Sequence, residues 1–209
     1  MDAWGVDAVV AGSQKGLMLP PGLSFVAAGP RALKVARTGG LPRKYWDWRG
    51  RDGAESYERF YGTPPVQMIF GLREALDMLA EEGLPAVHAR HARLARAVRA
   101  AVARWAEAGA IAFHCLDPEA RADTVTALTF APEVEPERLR ERCRERYGVA
   151  FGGGIGPFRG RLLRIGHMGD LDEAMILGAL GVLALALAET DVPHGRGGVE
   201  AAVGALAAG

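Results

Sequence analysis

Val10-Ala11-Gly12-Ser13-Gln14-Lys15-Gly16-Leu17-Met18-Leu19-Pro20-Pro21-Gly22 puts one lysine in a turn between apolar flanks. Asp7 and Val9-Val10 ahead of it read as a short buried strand. Gly12 releases the chain, and Pro20-Pro21-Gly22 stops any regular element from continuing. Lys15 is therefore held on a stiff loop. It is one of only three lysines, with Lys34 and Lys44, in a chain whose positive charge is nearly all arginine. An amine can lose its proton and attack a carbonyl, whereas a guanidinium stays charged. Lys15 is thus a candidate nucleophile, although an inert loop lysine is the reading that these residues favour by themselves.

Composition narrows the function classes. With 25 basic and 25 acidic residues the formal net charge is zero. There is no electrostatic footprint for nucleic acid or an anionic membrane, and a small molecule or a protein is the expected partner. Cys115 and Cys143 lie far apart without metal-ligand spacing and read as reduced thiols of a cytoplasmic protein. The N-terminus shows no signal-peptide pattern. The apolar run Ala174 to Ala188 is too short for a membrane span and fits a buried helix.

Outward from the lysine loop, Leu23-Ser24-Phe25-Val26 adds further strand material, Arg31 to Arg37 a short helix, and Tyr45-Trp46-Asp47-Trp48 an aromatic cluster that reads as the packed anchor of a long loop. Thr63-Pro64-Pro65 looks like a helix start. That helix runs to Glu82, with Val66, Ile69, Phe70, Leu76 and Leu79 as its buried stripe. A longer helix is expected from Pro85 to Ala108, burying Val87, His91, Leu94, Val98, Val102 and Trp105. Arg90, Arg93, Arg96 and Arg99 on its flank read as a solvated face. Beyond Gly109 come strands at 111–113 and 124–130, a helix from Pro136 to Tyr147 with Leu139 and Cys143 inward, strands at 149–151 and 162–165, and a helix from Asp172 to Glu189. From His194 onward the chain is a mobile tail or a short docking helix. The boundaries are 1–83, 84–190 and 191–209.

Two further places attract chemistry. In Leu162-Leu163-Arg164-Ile165, alternation sends Leu163 and Ile165 to one face and Arg164 to the other. A guanidinium so anchored suits a carboxylate, although a salt bridge is the commoner role of a strand arginine. Thr63, at a helix N-terminus, could receive an anion. Gly152-Gly153-Gly154-Ile155-Gly156-Pro157 is not a P-loop, because no Gly-Lys-Ser/Thr follows.

The order Asp-x-Trp-Gly-Val-Asp (Asp2 to Asp7), Gly-Ser-Gln-Lys (Gly12 to Lys15), Leu-Pro-Pro-Gly (Leu19 to Gly22) and Leu-Leu-Arg-Ile-Gly-His-Met-Gly (Leu162 to Gly169) resembles class V of the fold-type I pyridoxal-phosphate aminotransferases. More narrowly it resembles the serine/alanine–glyoxylate group, and the likeness continues to Asp191-Val192-Pro193-His194-Gly195. The resemblance implies an α/β fold: the end of a large-domain sheet, long linking helices and a small α+β domain. It implies that Lys15, beside Gln14, bonds the aldehyde of pyridoxal 5'-phosphate and carries the substrate proton. Arg164 would hold the substrate carboxylate, and Thr63 with Tyr61 or Phe60 would reach the phosphate of the neighbouring subunit of a homodimer. The expected reaction moves the amino group of serine or alanine to glyoxylate. The family also carries a large-domain half ahead of the Asp2 segment, so the 209 residues alone are expected to be inactive or impaired. The alternatives are a non-catalytic fragment or interaction module, and a lyase or desulfurase of the same fold.

Overall fold

The computed structural model describes residues 1–51, 55–60 and 62–209. It divides into two units, Met1–Glu81 and Glu82–Gly209.

In the first unit, β1 (Ala8–Gly12) and β2 (Ser24–Ala28) form an antiparallel pair in register from Ala8 opposite Ala28 to Gly12 opposite Ser24. The Lys15 loop is the connection between them. α1 (Pro30–Thr38) follows, with Pro30 in its first turn, where a missing N–H costs nothing. Asp7 pairs with Arg31 at 2.6 Å, and that guanidinium holds the carboxyl below its ordinary range. α2 spans Val66–Glu82, and the Pro65 carbonyl accepts from the Ile69 N–H at its start.

Three expectations fail here. β1 is a strand but not a buried one, since Val10 is 73% exposed. Two strands cannot cover both of their own faces. The apolar stripe of α2 is likewise open, with Val66, Phe70 and Leu76 exposed and only Ala75 buried. Tyr45 and Trp46 meet edge to face at 5.8 Å between ring centroids, yet Trp46 is 75% exposed, so the aromatic cluster is not a packed anchor. In that segment the Arg49 guanidinium holds the Asp47 carboxyl down to about 2.

The second unit has a four-stranded antiparallel sheet in the order β3-β4-β6-β5, formed by β3 (Ile111–Phe113), β4 (Val125–Phe130), β5 (Gly152–Gly153) and β6 (Leu162–Gly166). Its helices are α3 (Leu84–Ala106), α4 (Pro136–Tyr147), α5 (Glu173–Glu189) and α6 (Gly198–Ala207). Periodicity chose the inward faces correctly. Val87, Leu94, Val98, Val102 and Trp105 of α3 are buried, as are Leu139 and Cys143 of α4. They close on Leu128, Leu163, Ile165, Leu180 and Leu183 in one core. Each such aliphatic side chain contributes roughly 1.5–3 kcal/mol by leaving water. The fifth strand is displaced from the expected 149–151 to the glycine pair, because only Gly152 and Gly153 pair with β6. α5 starts one residue late, with the Asp172 side chain accepting the Met175 N–H at 2.8 Å as its N-cap. The end of the chain is a docked helix. Ala202 is fully buried, and a Cβ at Gly198 would overlap the Trp105 indole, so α6 meets α3 there through backbone.

The arginine row of α3 is not a solvated face. Arg90 pairs with Glu82 at 2.7 Å and donates to the carbonyls of Gly169 and Leu171, both at 2.9 Å. Arg93 pairs with Glu173, and Arg99 binds Asp123 at 2.9 Å and the Ala122 carbonyl at 2.8 Å. Sequence periodicity gives the face on which these residues lie but not the loops that come to meet it. Among the described residues no helix is long and apolar enough to cross a membrane.

Candidate active site

The lysine loop is built around a buried hydroxyl. Ser13 is fully buried although it sits in a loop. Its Oγ donates to the Pro20 carbonyl at 2.8 Å and accepts from the Leu23 N–H at 3.2 Å. Its own N–H donates to the Leu23 carbonyl at 3.0 Å, and its carbonyl accepts from the Leu19 N–H at 3.1 Å. One residue therefore satisfies polar groups on both sides of the loop, as a turn that cannot form a regular ladder requires. The Met18 N–H closes a tight turn on the Lys15 carbonyl at 3.0 Å, with Met18 at φ 59. Pro20 and Pro21 then stiffen the return.

Gln14 and Lys15 project from this frame and are exposed. The Lys15 amine has no hydrogen bond or ion pair among the described residues. The far end of the loop lies against α2: a Cβ at Gly22 would stand 3.3 Å from the Met68 methyl, and one at Gly71 3.0 Å from a Leu19 methyl. Thr63 is exposed three residues ahead of the first residue of α2. It lies short of the cap, because Pro64 and Pro65 intervene. Tyr61 lies outside the described residues.

Arg164 belongs to the second unit, in the middle of β6, opposite Ala127 on one side and Gly152 on the other. Leu163 and Ile165 are buried and Arg164 is half-buried, as alternation requires. Its Nε donates to the Gly153 carbonyl at 2.8 Å. Its two Nη groups make no hydrogen bond or ion pair among the described residues. A guanidinium oriented by one backbone bond, with its outer edge free, is prepared to take a carboxylate.

Beyond β6 the chain is fastened from several sides. His167 is fully buried: Nδ1 donates to the Asp123 carbonyl at 3.0 Å, and Nε2 lies 2.9 Å from the Thr126 hydroxyl. Burial pushes its pKa below the ordinary histidine value. It is a packing residue. His91 on α3 donates from Nδ1 to the Val87 carbonyl at 2.7 Å and accepts the Gly169 N–H on Nε2 at 3.1 Å. With Arg90 it fixes residues 169–171.

Ser13, Arg90 and His91 had been given no positioning role from the sequence. Their partners are backbone carbonyls and amides, which leave no residue-type signal. The only hint at Ser13 was a hydroxyl residue directly after the glycine that ends a strand.

The fold is that of fold-type I pyridoxal-phosphate aminotransferases, in their C-terminal portion. Pyridoxamine–pyruvate aminotransferase from Mesorhizobium loti superposes with a TM-score of 0.84 at 35% identity, over 97% of this chain and 52% of that one. The family model Aminotransferase class-V matches residues 1–156, and the chain belongs to that family. It is 41% identical over 196 residues to serine–glyoxylate aminotransferase of Methylorubrum extorquens, a match covering 91% of this chain and 48% of that protein. It is 40% identical over 205 residues to L-aspartate–glyoxylate aminotransferase of Paracoccus denitrificans, covering 97% of this chain and 50% of that one. The chain thus spans about half the length of the curated relatives it matches.

Proposed function

We propose that the chain serves pyridoxal 5'-phosphate-dependent transamination from a small amino acid, serine or alanine, to glyoxylate. The observation that carries this reading is the Lys15 amine, unpaired among the described residues and presented by a loop that Ser13 ties on both sides. Of the three proteins named above, the two compared by sequence are glyoxylate aminotransferases, which supports the acceptor.

The residues present suit the cofactor. An amine without a carboxylate partner is what an aldehyde requires, and the exposed Thr63 hydroxyl and Gln14 amide are donors suited to its polar groups. When bound, the pyridoxal ring draws electrons from the substrate α-carbon and lets its proton leave. Lys15 Nζ takes that proton and returns it, while the free edge of Arg164 holds the substrate carboxylate and orients the α-carbon. Thr63, with Tyr61, holds phosphate in a homodimer, and the protein works in the cytoplasm.

The desulfurase alternative needs a reactive cysteine on a mobile segment. Cys143 is buried in α4, and burial pushes its thiol up to about 11. Cys115 donates to the Asp117 carbonyl at 3.4 Å in a tight turn. Neither is prepared for persulfide chemistry.

The test is to mix the purified 209-residue protein with pyridoxal 5'-phosphate, reduce with borohydride and locate the label by peptide mass spectrometry. Labelling at Lys15, lost in Lys15→Ala, supports the assignment, and transamination between serine and glyoxylate then defines the activity. Labelling at Lys34 or Lys44 instead overturns it. A dimer that takes no label supports the interaction-module alternative.

A further inference from the structure

A surface groove of about 560 Å³ runs beside Arg164, lined among others by Glu137, Arg140, Gly153, Gly154, Arg159 and Arg164. Its charges do not balance. Arg140 is committed, pairing with Glu137 and donating from Nε to the Phe151 carbonyl at 2.9 Å. Arg164 uses only Nε, toward Gly153. The Arg159 guanidinium has no partner at all among the described residues. Three guanidiniums therefore face one carboxylate, and two of them have room for an anion.

The backbone that carries Arg159 is pinned. The Phe158 N–H donates to the Ile155 carbonyl and the Arg159 N–H to the Gly156 carbonyl, both at 3.2 Å, and the Arg161 N–H to the Phe158 carbonyl at 3.0 Å. A Cβ at Gly154 would overlap the Phe158 carbonyl, so the segment doubles back through a position that only glycine fills. The Phe158 ring stands edge-on to His114 at 5.0 Å between centroids, tying the turn to the residue that follows β3. Arg159 thus projects from a braced turn into the groove that Arg164 lines.

We infer that this groove takes two carboxylates, one at Arg164 and the second at Arg159, and that the substrate class of the site includes dicarboxylic amino and 2-oxo acids. The inference rests on the reading of Arg164 given under the proposed function. A monocarboxylate leaves Arg159 unmatched, and a dicarboxylate matches both charges with planar acceptors suited to guanidinium.

The test titrates the purified protein with succinate and with propionate at low, matched ionic strength, followed by the arginine Nε–H signals in NMR spectra. Because Arg159 is exposed, the expected preference for succinate is modest, about three- to fivefold. Arg159→Ala should remove that preference and leave propionate unchanged, Arg159→Lys should retain part of it, and Arg164→Ala should weaken both acids. Among the described residues Arg159 has no side-chain partner to lose, so its variants keep the fold, as circular dichroism melts would verify. Equal binding of the two acids by the unsubstituted protein, or a preference that survives Arg159→Ala, overturns the second-carboxylate inference alone. Propionate binding that survives Arg164→Ala overturns the reading of Arg164 itself.

Discussion

The Ser13 hydroxyl donates to the Pro20 carbonyl at 2.8 Å, and this single bond spans the loop that carries Lys15. Ser13→Ala keeps the volume close but strands that carbonyl and the Leu23 N–H. The expected cost is about 1–3 kcal/mol of local stability. Hydrogen exchange should show faster opening at the Leu19 and Leu23 amides, with no change in the amides of α3. Unchanged protection at both would show that the hydroxyl does not hold the loop.

Arg90 satisfies the Gly169 and Leu171 carbonyls of the loop after β6 and the carboxylate of Glu82, which precedes α3. Arg90→Ala leaves all three short of a donor, and roughly 1–3 kcal/mol should be lost. The readout is the urea midpoint of the second unit. Arg90→Lys should recover only part, because one ammonium cannot reproduce the fork.

His167 gives the second unit a pH dependence whose sign is fixed by burial. Its folded pKa lies below the ordinary 6.5, so between those two values the unfolded chain binds more protons than the folded one. Stability is therefore complete above about 6.5, falls as the pH drops through that window and levels off below the folded pKa. Urea titrations from neutral to mildly acidic pH should show this slope, and His167→Gln should flatten it. A slope that persists in the variant would assign the effect to another group.

The two thiols should separate cleanly. Cys115 is partly exposed, and Cys143 is buried with its pKa raised to about 11. A thiol reagent at neutral pH should modify Cys115 in the native protein and Cys143 only after denaturant is added. Modification of both at similar rates in the native state would show that α4 is not packed as described.

Gly198 meets the Trp105 indole through its backbone, so Gly198→Val should force α6 from α3. Overpacking of this kind costs about 1–3 kcal/mol. Trp105 fluorescence should shift to the red as its ring becomes wet, and an unshifted spectrum would mean that α6 is not docked there.

Legibility in the sequence followed the source of each signal. α4 was read to its last residue because Pro136 starts it, Gly148 ends it and Leu139 and Cys143 mark its face. The pairing of Leu163 with Ile165 against Arg164 needed only the alternation of a strand. The open stripe of α2 and the exposed Val10 misled the same reasoning, because apolar spacing states which face seeks cover, not whether this chain supplies it. At the candidate site, residue type made Lys15 and Arg164 candidates, and the resemblance alone supplied the roles proposed for them. Ser13, Arg90 and His91 were not legible, since each acts on main-chain groups brought to it by the fold.

By itself, the sequence determined that the chain mixes helices and strands, the full extent of α4 and the approximate course of the other long helices, and that Lys15 sits on a stiff turn between apolar flanks. Those features are local: they depend on periodicity, on proline and glycine geometry and on the rarity of lysine. Only the tertiary structure decided that a buried serine braces that turn, that the α3 arginines are internal ties, and that Arg159 and Arg164 share one groove. Such relations join residues remote in sequence, or a side chain to a backbone atom, and neither kind is written in residue type.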